Sequence, residues 1–163
     1  IKVKDHQSLI KAYKVLHKKY ADLKLIIGGE GPELENLKNL IADNDLQNHV
    51  QLIGKLKNPF PYYKNAQLNV ISSINEGFPN VLLEMMTVGQ RCVSTVCTAS
   101  IADIPGILTC VSDDHQILAK TMEQALNIPA EEQKENIALM RNYVQKGSIT
   151  SFMGEIESFF PKK

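Results

Sequence analysis

The sequence predicts an α/β domain in which a parallel sheet carries helices on both faces. Short apolar runs alternate along the chain with segments whose apolar residues recur at helical spacing, and the connections between them are short. Such alternation favours parallel strands joined by crossover helices. The sequence has no internal repeat and no linker long enough to divide it, and 163 residues suit one sizeable core. We therefore expect a single domain over residues 1–163.

The first half of the chain is predicted to form two helices, two strands and one short helix or turn. The opening helix carries Leu9, Tyr13 and Leu16 on one face. The second helix starts with Pro32 at its N-terminus, where the missing N–H would be unpaired in any residue. The predicted ranges are about 6–20 and 31–46 for the helices, 23–29 and 49–54 for the strands, and 59–66 for the short element.

The second half continues the alternation. A helix is expected from about Pro79 to Val88, ended by Gly89, and a later one is capped by an aspartate. Two further helices close the chain. The remaining predicted ranges are 67–73, 91–96 and 106–111 for the strands, and 113–126, 130–145 and 148–160 for the helices.

Composition and charge exclude several classes of protein. Hydrophobic residues make up 44% of the chain, which predicts a folded domain, and the formal net charge of zero argues against a general nucleic-acid binder. No apolar run approaches the length of a membrane span, and no signal peptide is visible. We therefore expect a cytoplasmic protein that has no nucleic-acid partner.

Cysteines and histidines give no sign of metal or redox chemistry. The three cysteines, Cys92, Cys97 and Cys110, are an odd number without CxxC spacing, which is typical of reduced and mostly buried thiols. The four histidines are scattered without HxH or HExxH pairing, so we expect no metal site.

The stretch "NEGFPNVLLEMM" (75–86) carries the clearest functional pattern. It lies between a predicted strand and its helix, at the carboxyl edge of the sheet, where ligands bind in such folds. Pro79 fits a helix start, whose free N–H groups and dipole favour an anion, and Gly77 lets a ligand approach the backbone. Glu76 and Glu84 flank this anion site with hydrogen-bond acceptors suited to hydroxyl groups. A phosphate between two polyols describes a nucleotide sugar.

The same pattern has a purely structural interpretation. A glutamate near a helix N-terminus is favourable by about 0.3–1 kcal/mol without any ligand. Glu84 would then lie on a solvated helix face. The residues of this stretch alone leave both interpretations open.

The segment "EGFPNVLLE" resembles the E-x7-E signature of retaining glycosyltransferases of family 4, which have the GT-B fold of two Rossmann-like domains. Further segments are similar to the same family: "KDHQSLIKAY", "LKLIIGGEGPELENLKNLI", "VQLIGKLKN", "YYKNAQLNVISSINEGFP" and "GQRCVSTVCTASIADI". The similarity runs in register over roughly residues 4–128. It implies that this chain is the C-terminal, donor-binding half of such an enzyme, with a Rossmann-like sheet.

The resemblance implies a role for each matching residue of the signature. Glu76 is expected to bind a hydroxyl of the donor sugar, and Glu84 matches the ribose-binding carboxylate. Gly77, Phe78 and Pro79 match the turn that lies against the sugar. Asn80 and Val81 match the positions whose backbone N–H groups face the diphosphate.

Two lysines outside the signature also match the family. Lys4 is expected to hold the diphosphate and stabilise it as the leaving group, because negative charge builds there as the glycosidic bond breaks. The catalytic residues implied are therefore Lys4 and Glu76, with no cofactor and no divalent metal. Lys55 is placed at the base pocket, although a solvated lysine explains it as well.

The chain departs from the family pattern in the loop after the fourth predicted strand. Ala99 and Ser100 replace the usual Gly-Gly, and Asp103 stands where a glutamate is common. These changes put the shape of the donor pocket in doubt. An arginine of the family pattern would precede Ile1, so we interpret the chain as part of a longer protein. The N-terminal acceptor domain is then absent, and a closing helix at about 145–160 would cross to it.

Two other functions remain open at this point. A sugar-nucleotide epimerase of GT-B fold would be expected to carry more histidine and arginine. A non-catalytic flavodoxin-like signalling domain would need an acidic cluster at a strand end, and "LIIGG" and "LNVISS" offer none. Finally, the basic run "KVLHKK" (14–19) is best interpreted as a solvated helix face; the alternative is a surface that holds the parent at the cytoplasmic face of a membrane.

Overall fold

The computed structural model describes residues 2–147 and shows an α/β architecture. Five short strands and six α-helices alternate in this part of the chain. The strands are β1 (Leu25–Ile27), β2 (Val50–Leu52), β3 (Asn69–Ile71), β4 (Cys92–Thr95) and β5 (Leu108–Cys110). The helices are α1 (His6–His17), α2 (Leu34–Asp43), α3 (Phe60–Asn65), α4 (Asn80–Val88), α5 (His115–Leu126) and α6 (Ala130–Lys146).

All strand pairs among these residues are parallel, as predicted. β1 pairs with β2, and β4 lies between β3 and β5. The described strands therefore form two groups instead of one continuous ladder, because β1 and β3 do not bond to each other. The predicted fold class is confirmed, with the pairing divided at this point.

Strand β4 shows why helices cover both faces. Neighbouring side chains on a strand point to opposite faces, and all four residues of β4 are buried. Val93 packs into a cluster formed largely by α1, α2 and α5, whereas Cys92 packs into a second cluster with α4 and α6. Two hydrophobic layers thus enclose the sheet, as expected for a parallel sheet.

The segment before α1 is held against the end of β3. Residues Lys2–Lys4 form a 3₁₀ turn. The N–H of Ile74 donates to the carbonyl of Val3 at 2.8 Å, and the Ser72 hydroxyl donates to the carbonyl of Lys4 at 2.8 Å. Lys4 is therefore positioned at the carboxyl edge of the sheet, next to the loop that carries Glu76.

Several predicted boundaries were wrong by a few residues. Pro32 lies in a turn before α2, which begins at Leu34. Pro79 is the extended N-cap of α4 and stands one residue before the helix. Every strand is shorter than its apolar run, because the outer residues find no ladder partner. The 3₁₀ turn Ala99–Ile101 was not predicted.

Two lysines of the basic run 14–19 form contacts within the domain. Lys14 donates to the Asn44 side chain at 2.7 Å, and Lys19 forms an ion pair with Glu123 on α5. None of the described helices is long and apolar enough to span a membrane. The predicted closing helix at 148–160 lies outside the described residues.

Candidate functional site

The centre of the site is an ion pair between two of the residues singled out in the sequence. The Lys4 ammonium lies 2.8 Å from each carboxylate oxygen of Glu76. The Lys4 side chain is 47% exposed, whereas that of Glu76 is 14% exposed. The lysine thus approaches from solvent a carboxylate that the loop holds largely out of water.

Residues at the ends of β3 and β4 hold Glu76 in place. The Ser73 hydroxyl donates to Oε1 of Glu76, and the Glu76 N–H donates to the carbonyl of Cys97 at 3.2 Å. The Thr95 hydroxyl, at the end of β4, donates to the carbonyl of Ser73 at 2.5 Å. The loop after β3 is therefore tied to β4 through both its backbone and its side chains.

The hydrogen bonds keep Glu76 ionised despite its burial. Burial alone would raise the pKa of Glu76, but the hydrogen bonds from Lys4 and Ser73 and the charge of Lys4 outweigh it, so the pKa is lowered. Burial and the nearby Glu76 carboxylate raise the pKa of the Cys97 thiol, which favours its neutral form. The carboxylate is the charged acceptor of this site.

The N-terminus of α4 supplies free donors directly after this carboxylate. Pro79, the N-cap residue, provides no side-chain hydrogen bond, and the first turn contains no acidic residue. The first N–H groups of a helix lack intrahelical partners, which here applies to Asn80 and Val81. A Cβ built on Gly77 would meet no atom within 4 Å, so space is open beside this backbone. These features suit a bound anion.

Glu84 has a neighbour that the sequence did not indicate. The Tyr63 hydroxyl, on α3, donates to Oε2 of Glu84 at 3.4 Å. Burial, the charge of Glu84 and this hydrogen bond raise the pKa of Tyr63, so the phenol remains a donor. The contact orients Glu84 one helical turn beyond the free N–H groups.

Two predicted residues lie differently from the rest. Phe78 is partly buried and packs its side chain against the second hydrophobic cluster, so it anchors the turn in the core. Lys55 is exposed and follows β2, which pairs with β1 and not with the three strands around Glu76. Within residues 2–147 it forms no salt bridge.

Sequence reasoning missed the side chains that hold the site together. Ser72, Ser73 and Thr95 are all buried and bonded around Lys4 and Glu76. The signal for the two serines was the pair of small hydroxyl residues at the end of the apolar run "LNVISS", whereas Thr95 gave none. Tyr63 gave no signal, because a helix-to-helix contact cannot be read from spacing.

The three cysteines lie in the interior of the domain. Cys92, Cys97 and Cys110 are buried and free, as predicted. Burial raises the pKa of Cys92 to about 12. Across the described part of the chain, no three His, Cys, Asp or Glu side chains group closely enough to hold a metal ion.

Comparison with known proteins places the chain in a family. The family described as glycosyl transferases group 1 matches residues 1–141. An uncharacterized glycosyltransferase of Methanocaldococcus jannaschii is 40% identical over 89 residues, which are 55% of this chain and 22% of that protein. A 4-alpha-N-acetylgalactosaminyltransferase of Campylobacter jejuni, acting on a diphospho-undecaprenol substrate by its name, is 38% identical over 97 residues, 60% of this chain and 25% of that protein.

Solved structures support the fold. A mutant form of S. aureus TarM, crystallised with UDP among other ligands, superimposes with a TM-score of 0.83 at 20% identity. The match covers 99% of this chain and 34% of TarM. The chain thus spans about a third or less of these proteins. Because the family match extends over most of the sequence, the chain belongs to the glycosyl transferases group 1 family.

Proposed function

We propose that this chain is the donor-binding, C-terminal half of a retaining glycosyltransferase of family 4. The parent would transfer a hexosyl group from a nucleoside-diphosphate sugar to an acceptor hydroxyl. The products would be polysaccharides or glycolipids made in the cytoplasm. The chain alone would bind the donor weakly and would not turn it over, because acceptor binding is assigned to another domain of the parent.

One observation carries the proposal. Lys4 and Glu76 lie in contact at 2.8 Å, immediately before the N-terminus of a helix that has no capping side chain. A cation, a set of free N–H groups and a hydroxyl acceptor therefore occur side by side. A sugar diphosphate requires this combination, because its phosphates need positive charge and its sugar needs polar acceptors.

The bound donor would span the site from Glu84 to Glu76. Glu84, oriented by Tyr63, would accept hydrogen bonds from the ribose hydroxyls. The N–H groups of Asn80 and Val81 and the Lys4 ammonium would hold the diphosphate. Glu76 would accept a hydroxyl of the sugar, with Gly77 leaving room for the ring.

Lys4 would serve the chemical step as well as binding. As the bond between the sugar and the diphosphate breaks, negative charge grows on the leaving phosphate. The Lys4 ammonium, once it bonds the diphosphate, and the helix N-terminus would stabilise that charge more in the transition state than in the ground state. Because Lys4 supplies this charge, the reaction would need no divalent metal.

A thermal-shift panel tests the donor site. The chain would be heated with UDP, GDP, ADP and their common sugar nucleotides, with magnesium and with EDTA. A ligand stabilises the fold by RT ln(1 + [L]/Kd), so even a weak site is visible at high ligand concentration. We expect one nucleotide series to raise Tm equally in both buffers.

Variants separate specific binding from a general salt effect. Lys4→Ala should abolish the shift, whereas Lys38→Ala, an exposed lysine paired only with Glu35 on α2, should keep it. A shift that requires magnesium would contradict metal independence. The absence of any shift, both in this chain and in its full-length parent, would overturn the proposal.

A further inference from the structure

Ser73 has a position that the binding proposal does not use. It is 2% exposed and stands at the carboxyl end of β3, with its hydroxyl on Oε1 of Glu76. A buried hydroxyl must find a hydrogen-bond partner, and the Glu76 carboxylate is that partner. Thr95, also 2% exposed, fixes the Ser73 carbonyl from β4. Ser73 is thus held rigidly while it holds Glu76.

The two side chains that bond Glu76 differ in freedom. Lys4 reaches it from a half-exposed position and bonds both carboxylate oxygens, whereas Ser73 bonds one oxygen from inside the fold. A long lysine side chain reorients readily while it is solvated, because it keeps the rotamer freedom that burial would remove. A buried serine tied to a neighbouring strand keeps its direction.

A diphosphate at the α4 N-terminus would compete with Glu76 for Lys4. The ammonium donates two of its three N–H groups to the carboxylate, so a phosphate that accepts more than one N–H must take at least one of them from Glu76. Once Lys4 turns to the diphosphate, Ser73 is the remaining side chain, among the described residues, that bonds the Glu76 carboxylate. Its bond to Oε1 leaves Oε2 as the oxygen available to a sugar hydroxyl.

We propose that Ser73 is the positioning residue of the donor-sugar site: it holds the Glu76 carboxylate, with Oε2 directed to the sugar, when Lys4 is engaged by the diphosphate. This inference rests on the proposed donor-binding function. It assigns Ser73 no contact with the donor. Its effect is therefore confined to the sugar, and the nucleotide part of the ligand is held without it.

The first readout needs no ligand. The pKa of Glu76 would be followed by carbon-detected NMR of the glutamate side chains, with the signal identified by its loss in Glu76→Gln. The single variant Lys4→Ala is compared with the double variant Lys4→Ala/Ser73→Ala. The two differ only in the hydrogen bond from Ser73 to Glu76. We expect the pKa of Glu76 to rise in the double variant, because a hydrogen bond to the charged form is lost. An unchanged pKa would overturn the inference.

The second readout measures the contribution of the sugar to affinity. Dissociation constants of a nucleoside diphosphate and of its sugar derivative would be compared in wild type, Ser73→Ala and Ser94→Ala. Ser94 is a matched buried serine whose hydroxyl bonds a backbone carbonyl. Ser73→Ala should weaken the sugar nucleotide about tenfold and leave the free diphosphate unchanged. Ser94→Ala should leave both dissociation constants unchanged.

The outcomes distinguish the inference from the function on which it rests. Equal loss of both ligands in Ser73→Ala would show a general structural role and overturn the inference alone. Failure of the wild-type sequence to bind either ligand, both as this chain and within its full-length parent, would overturn the donor-site proposal. The NMR titration would still decide whether Ser73 holds Glu76.

Discussion

Lys4 and Glu76 are 72 positions apart in the sequence, yet the ammonium of one lies 2.8 Å from both carboxylate oxygens of the other. The contact depends on two backbone attachments: the segment before α1 is bonded to the end of β3, and Glu76 is bonded to the loop after β4. A cation and an anion thereby meet at the mouth of the proposed donor site. The consequences can be measured separately for binding, acidity, packing and ribose recognition.

Lys4→Ala should weaken binding of a nucleoside diphosphate much more than it reduces stability. Solvent screens the half-exposed Lys4 ammonium, so the ion pair contributes about 1 kcal/mol or less to folding, whereas a cation against a diphosphate contributes a charge-assisted bond. We expect at least a tenfold loss in affinity, on the order of 1.4 kcal/mol, with little change in Tm. Calorimetric titration with di- and monophosphates checks it; an equal loss for both would place Lys4 away from the second phosphate.

The lowered pKa of Glu76 makes its contribution to stability dependent on pH. A carboxyl group with a lowered pKa in the folded state stabilises the fold above its unfolded pKa, and the gain disappears as pH falls through the folded pKa. The Tm difference between wild type and Glu76→Gln should therefore be constant near neutrality and shrink in acid below the usual range of glutamate. A difference that grows on acidification would contradict the assigned direction.

Replacing either of the two glycines that flank α4 by alanine should affect a different property, stability at Gly89 and ligand affinity at Gly77. A Cβ on Gly89 would lie 2.5 Å from Nδ2 of Asn69 and 2.6 Å from the carbonyl oxygen of Met85. Gly89→Ala should therefore lower the free energy of unfolding by about 1–3 kcal/mol. Gly77→Ala meets no atom within 4 Å, so it should leave stability nearly unchanged and weaken the sugar nucleotide. Urea unfolding and ligand titration on both variants compare the two effects.

Glu84→Ala should remove the preference for ribose. If Glu84 accepts the ribose hydroxyls, wild type should bind a ribonucleoside diphosphate more tightly than its deoxy analogue, and the variant should bind them equally. Tyr63→Phe should reduce the preference partly, because the phenol only orients the carboxylate. Glu35→Ala, an exposed glutamate in the first turn of α2, is the matched control. Retained ribose preference in Glu84→Ala would assign this carboxylate to helix stability alone.

The type and order of the elements could be read from the sequence because hydrophobic spacing is local. The run "LKLIIGG" predicted β1, and helical spacing of Leu9, Tyr13 and Leu16 predicted α1. Element ends were less predictable, because a strand extends only where a neighbour pairs with it. The division between β1 and β3 had no local signal, since parallel pairing joins distant segments.

The site was predictable in part for the same reason. The glutamates and the helix start form one continuous stretch, so the stretch itself offered two interpretations, an anion site and a well-capped helix. Lys4 was selected by resemblance to a family, since a lysine near a chain end has no distinctive spacing. Ser73 and Tyr63 were missed because their importance arises from contacts across elements, which only the folded chain creates.

The junction between Lys4 and Asp5 separates folding from ligand chemistry. Asp5 adopts a left-handed conformation and accepts the Ser8 N–H at 3.2 Å, so the N-cap of α1 lies directly after Lys4. A protease that cuts just before Asp5 would leave a domain with its helix cap and both hydrophobic layers. That domain would lack Lys4, which among the described residues is the one cation bonded to Glu76. Such a product should give the circular dichroism spectrum of the intact domain but fail to bind the proposed donor, so the mass of the protein should be measured alongside every negative binding result.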